Sequence, residues 1–196
     1  MKEKPQNVKK TLIVCVFPGC GKTWLVEHQK QFGYAMYEED SSHYKKEDGW
    51  ELRYLLNVMA KSKSGLYDFI FIDQEESILD EMDCRGIPYV IVEPDNIIYN
   101  NSLDEPPKRK KERQLIKQQW MGRLVLKNSD DMDDSTNWSR IEYIKKAYDD
   151  KTSLDFVDRH RQVSFFTLNQ DQYLSDIIDD LYWKKEHYTV YTSGQD

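Results

Sequence analysis

The stretch "TLIVCVFPGCGKTWLVEH", Thr11–His28, decides how the chain is read. Leu12 to Phe17 is an unbroken apolar run rich in Val and Ile, the pattern of a strand covered on both faces in a parallel sheet. Pro18-Gly19-Cys20-Gly21 is turn chemistry. From Lys22, the spacing of Trp24, Leu25 and His28 predicts a helix, with Gly33 ending it. Strand, turn and helix bracket Gly21-Lys22-Thr23 and nearly spell the phosphate-binding pattern G-x-x-x-x-G-K-[ST]. The departure is Val16, which stands where the first glycine would.

Such a loop turns successive backbone N–H groups inward onto a phosphate, and its lysine reaches the same group. The hydroxyl that follows is a ligand for Mg²⁺. Gly19 and Gly21 supply the conformations and the close approach that side chains would block. Pro18, Gly19, Cys20, Gly21, Lys22 and Thr23 are therefore the candidate phosphate-binding residues, and Thr23 is a candidate metal ligand. Val16 and Phe17 are expected to prolong the strand and leave the N–H groups of 19–23 in place. The competing reading is an ordinary strand-turn-helix in which the three letters are incidental.

Outward from this stretch, strands and helices alternate. "YAMYEED" (34–40) reads as a second strand ending in acid, and "WELRYLLNVMAKSKSG" (50–65) as a helix. "YDFIFID" (67–73) is a third strand, "EESILDEMDCRG" (75–86) a short helix, and "PYVIVEP" (88–94) a fourth strand. "QVSFFTLNQDQYLSDIIDDLYWKK" (162–185) reads as a fifth strand, a turn and a terminal helix. This order predicts an α/β domain with a mostly parallel sheet. Between them, residues 96–150 are polar and basic, then acidic. They include a helix after Pro106-Pro107 and an amphipathic one on Trp138, Ile141, Ile144 and Tyr148.

The 196 residues suffice for one domain with a full core. A net charge of -7 excludes a global basic field that would draw the chain to nucleic acid or a membrane. The longest apolar run is too short to cross a bilayer, and "MKEKPQNVKK" lacks the apolar core of a secretory signal. Three cysteines, Cys15, Cys20 and Cys84, without metal-ligand spacing point to a reducing, cytoplasmic setting.

"FPGCGKT" (17–23), "EEDSSHY" (38–44), "FIFIDQEESILDEMDCRGIPYVIVEP" (69–94) and "LNQDQYLSDII" (168–178) follow an order that resembles small phage-type P-loop nucleotide kinases, relatives of the nucleoside monophosphate kinases. The resemblance covers most of the chain and is patchy between Asn96 and Gln162. It implies a three-layer P-loop NTPase fold over residues 1–196, with a five-stranded sheet, the phosphate loop after the central strand, and a helical lid in 96–150. It also implies ATP and Mg²⁺ as cofactors, a nucleoside monophosphate as acceptor, and, for a phage protein, the host cytoplasm. In such kinases a glycine and an arginine usually follow the third strand. Here Gln74-Glu75-Glu76 follow Asp73, and the next arginine is Arg85.

Parallel α/β sheets bind ligands beyond the carboxyl ends of their strands. Asp73, closing "FIFID", stands where a Mg²⁺-holding acid belongs, or it is an ordinary solvent-facing strand end; Gln74 and Glu75 are second candidates. Asp40, next to Ser41 and Ser42, is either a contact or base for the acceptor or a helix cap. Arg123 is a discrete lid candidate, since its fork suits phosphate oxygens; Arg159 and Arg161 could serve the same end. "KRKKER" (108–113) has three readings: a charge-neutralising lid, a nucleic-acid contact, or a solvated helix face. The resemblance places Asn169, and Gln170 beside it, next to the adenine. Trp50, Trp120 and Trp138 belong more readily to a core than to a base stack, and His43 and His160 have no ligand spacing. The expectation is a nucleotide kinase with Lys22, Asp40, Asp73 and Arg123 as its catalytic set. The alternatives are a kinase of polynucleotide 5′ ends, or a nucleotide-binding regulatory protein without chemistry.

Overall fold

In a computed structural model of the chain, the run Leu12–Val16 forms strand β1, and every one of its side chains is buried. The structure describes residues 10–44, 48–94, 117–123, 163–169 and 171–187, with isolated positions 111, 114, 115, 142, 146, 159 and 160. The other strands are β2 (Met36–Glu38), β3 (Phe69–Asp73), β4 (Val90–Pro94) and β5 (Ser164–Leu168). All pairings are parallel and the order is β2-β3-β1-β4-β5, so β1 is central. Among the described residues, helices include α1 (Lys22–Glu27), α2 (Trp50–Lys63), α3 (Glu76–Cys84) and α4 (Ile178–His187), and residues 117–123 are helical as well.

The period of two along β1 explains why the run is apolar throughout. Leu12, Val14 and Val16 join a cluster with Leu25 of α1, Trp120, and Ile178 and Leu181 of α4. Ile13 and Cys15 join the opposite cluster, with Tyr54, Leu55 and Val58 of α2 and Ile78, Leu79 and Met82 of α3. The sheet is thus covered on both faces. Adjacent strands β1 and β3 send their following helices to opposite faces. Their carboxyl ends therefore open a crevice, the place where open α/β sheets hold ligands.

Two elements are shorter than the sequence predicts. α1 stops at Glu27 and a 3-10 turn, Gln29–Gln31, carries the chain on to Gly33, which has φ 74°. β2 ends at Glu38, two residues before Asp40, because the chain there turns into a 3-10 turn, Ser41–His43. The amphipathic helix expected around Trp138–Tyr148, and nearly all of the lid expected in 96–150, lie outside the described residues, as do Arg161 and Gln170. No helix among the described residues is long and apolar enough to cross a membrane.

Candidate active site

The register of β1 against β3 sets Val16 opposite Asp73. Val16 is therefore a strand residue, fully buried, and Phe17 continues the ladder by donating its N–H to Val92 O at 2.9 Å. The left-handed conformations of the loop fall instead on Gly19 (φ 87°) and Gly21 (φ 88°). A side chain at position 21 would be strained, and its Cβ would stand 3.3 Å from Tyr173 Cδ1. Cys20 anchors the loop from below. Its side chain is buried in the core and its carbonyl accepts the Leu174 N–H at 2.9 Å. Burial pushes its thiol well up, against the lowering effect of the Arg123 charge, so Cys20 is no nucleophile.

Lys22 opens α1 and points to the β3 side. Its Nζ pairs with Asp73 Oδ1 and stands 3.3 Å from Glu38 Oε1. The same Glu38 oxygen accepts from Thr23 Oγ1 at 3.3 Å. Asp73 Oδ2 accepts from the N–H and hydroxyl of Ser41, at 3.1 and 2.9 Å. These five residues form one connected polar set at the mouth of the crevice. Period two along the strands explains which acids join it. Phe71 and Met36 face the α1 side, so Asp73 and Glu38, two residues on, face it too. Glu39 faces the α2 side. There it is buried and takes bonds from Tyr44 Oη (2.9 Å) and Asn57 Nδ2 (2.8 Å), with Lys61 Nζ at 3.5 Å.

Burial alone would push the Asp73 carboxyl up, but the Lys22 charge and the hydrogen bonds from Lys22 and Ser41 outweigh it and hold the group below its ordinary range. Lys22 mirrors this. Burial would lower it, and the charges of Asp73 and Glu38 raise it instead. The Asp73 contribution to stability is complete above the ordinary carboxylate range and is lost as pH falls through the lower folded value. The Lys22 contribution is complete below the ordinary lysine value and is lost as pH rises through the raised one. The pair therefore stabilises across neutral pH. Asp73→Asn is expected to melt several degrees below the parent at neutral pH, with the gap narrowing as pH falls through and below the ordinary carboxylate range. A gap in Tm that does not change over that range would show that the pair has no such role.

On the opposite side of the loop, toward β5, Arg123 donates from Nη1 to Gln172 O at 2.9 Å. Its guanidinium lies 4.0 Å from the centre of the Tyr173 ring and 4.6 Å from that of Trp120. Asn169 starts the adjoining turn, where its N–H donates to Gln172 Oε1 at 2.9 Å. The structure thus brings Lys22 into direct contact with Asp73, joins Thr23 to them only through Glu38, and leaves Arg123 and Asn169 on the β5 side. Asp40 is used as a cap, its Oδ1 accepting from Ser42 N at 2.8 Å. Gln74 is buried against Glu93 at 3.5 Å, and Glu75 precedes α3. Arg159 pairs with Glu76, and of "KRKKER" only Lys111 is described, exposed. Trp120 is core, and His160 is buried between Asp83 and Tyr89. Glu38, Ser41 and Tyr173 are the site residues that the sequence reading misses.

No group of three His, Cys, Asp or Glu side chains among the described residues is placed to hold a metal ion. No protein-family model matches the sequence, and no curated protein is significantly similar to it.

Proposed function

We propose that the protein is a P-loop kinase that carries the γ-phosphoryl group of ATP to a nucleotide-type acceptor. The observation that carries this reading is the contact of Lys22, on a loop after the central strand, with Asp73 at the end of the neighbouring strand. That arrangement agrees with the three-layer P-loop NTPase fold the sequence resembles. The N–H groups of Gly19 to Thr23 would hold the donor phosphates, and Lys22 would exchange its carboxylate partners for phosphate oxygens. Thr23 Oγ1 and the Asp73 carboxylate are hard oxygen donors, linked through Glu38 and Lys22. They fit Mg²⁺, which keeps most of its shell for water and phosphate. When bound, that ion neutralises charge building on the transferring group. Arg123 and the turn at Asn169 stand on the β5 side, where the resemblance puts the donor base.

For the acceptor, the resemblance points to a (deoxy)nucleoside monophosphate. Release of ADP from ATP and Mg²⁺, measured over ribo- and deoxynucleosides, their monophosphates and 5′-hydroxyl oligonucleotides, tests the proposal. Acceptor-dependent ADP release is expected. If none stimulates release while ATP with Mg²⁺ still raises Tm, the protein binds nucleotide without chemistry and the kinase reading fails.

A further inference from the structure

We propose that the oxygen phosphorylated at this site is a hydroxyl oxygen of a nucleoside or of a nucleic-acid 5′ end, not a phosphate oxygen, and that Glu38 takes its proton. The inference rests on the kinase reading above and names its acceptor.

The two sides of the loop differ in charge. The β5 side presents the Arg123 guanidinium and the half-exposed Tyr173 ring, a setting for an anionic, base-bearing donor. The β2 and β3 side presents carboxylates around the Lys22 ammonium: Glu38 and Asp73 in contact with it, Asp40 just beyond. A phosphate acceptor would bring nearly two more negative charges to that side. Sites for phosphate meet that charge with cations, above all guanidinium forks. Three described cations near that side are set on acids: Lys22 on Asp73 and Glu38, Lys61 on Glu39, Arg159 on Glu76. Arg85 pairs with Glu81 in the last turns of α3.

A hydroxyl acceptor reverses the requirement. It is neutral, so the carboxylates do not repel it, and it needs a base to lose its proton. Among the three acids, Asp73 already accepts from Ser41 twice and from Lys22, and Asp40 caps the following turn. Glu38 stands 3.3 Å from Lys22 Nζ, the side chain that meets the donor phosphates in this reading, and 3.3 Å from Thr23 Oγ1, the one that would hold Mg²⁺. Both of those contacts use Oε1. The hydroxyl oxygen forms its bond to the γ-phosphorus as the bond from that phosphorus to the bridging oxygen breaks. The electron pair of the broken bond leaves with ADP. The hydroxyl proton passes to the Glu38 carboxylate and from there to water.

The test is a set of matched pairs with ATP, Mg²⁺ and the full chain. Each nucleoside is compared with its 5′-monophosphate, and a 5′-hydroxyl oligonucleotide with the same strand already phosphorylated. The hydroxyl member of a pair is expected to give at least about tenfold higher kcat/KM. The small-molecule and strand arms say which source the enzyme uses. Glu38→Gln is expected to lower kcat by about 10²-fold or more with the KM for ATP nearly unchanged, and to keep the ATP-induced rise in Tm. Monophosphates turned over faster than nucleosides and 5′-hydroxyl strands would overturn the hydroxyl assignment and leave the kinase reading standing. ADP release from no pair at all would overturn both. An unchanged kcat in a folded Glu38→Gln variant would remove Glu38 as the base.

Discussion

For the proposed kinase, Lys22→Ala is expected to lower phosphoryl transfer by about 10²- to 10³-fold or more, the cost of removing one preorganised charge from a transferring group. The side chain is only 12 % exposed, so little water can replace it. It is also the only cation in direct contact with both Asp73 and Glu38 among the described residues. Its loss leaves two neighbouring carboxylates facing the donor phosphates, and the donor should bind more weakly as well as react more slowly. Two readouts separate these effects. The Tm rise on adding ATP with Mg²⁺ should shrink in the variant, since that rise follows ligand concentration over Kd. Saturating ATP should restore occupancy without restoring kcat. Without nucleotide, the variant should also be less stable at neutral pH than at mildly acid pH, where the two acids can share a proton. Turnover equal to the parent would remove the loop from the chemistry altogether.

The site was half legible in the sequence, and the division has a physical basis. Local chemistry could be read where one short stretch carries the whole signal. The apolar run of β1, the left-handed glycines at 19 and 21, and the order Lys22-Thr23 are all of this kind. Asp73 was legible because an apolar strand closes on it, and pairing with β1 sets it opposite Val16. By pattern alone Val16 is a departure from the phosphate-binding motif. In the fold it is a ladder residue, and the loop proper begins later.

β2 ends two residues earlier than the sequence predicts, in a run of three adjacent acids, Glu38-Glu39-Asp40. The sequence alone marks the last of them as the strand end. The alternation Met36, Tyr37, Glu38, Glu39 would have sorted them, since Met36 packs on the α1 side and Tyr37 on the α2 side. Carrying that period on sends Glu38 to Lys22 and Glu39 to Asn57. Ser41 and Tyr173 had no such local signal. Ser41 reaches Asp73 across 32 positions. Tyr173 meets the loop only because the turn after β5 folds back on Gly21, its neighbour Leu174 donating to Cys20 O.

At the opposite edge of the sheet, Lys185→Ala should cost about 3–5 kcal/mol of stability, the range for leaving one partner of a buried ion pair behind. Lys185 of α4 and Asp68 are 1 % and 2 % exposed, and Lys185 Nζ donates to Asp68 Oδ1 at 2.6 Å. Asp68 ties together the amino ends of three strands. Its Oδ2 accepts from Ala35 N at 3.0 Å, before β2; its own N–H donates to Ala35 O at 2.7 Å; and its carbonyl accepts from Leu12 N at 2.9 Å, at the start of β1. For a chain of this length the loss corresponds to a fall in Tm of roughly 10 °C. Lys185→Met keeps most of the aliphatic stem but removes the ammonium, which lies over the Tyr182 ring, and still strands the Asp68 charge. Adding Asp68→Asn removes that charge while keeping an oxygen for Ala35 N. The double variant should therefore lose clearly less than the sum of the two singles. Simple additivity would mean that the two charges do not stabilise each other. Because this pair lies at the amino edge and Lys22 at the carboxyl edge, turnover per folded molecule well below the melting range should match the parent in all of these variants. A fall in kcat there would mean that the amino edge helps to set the geometry around Asp73, through the five residues of β3 that join the two.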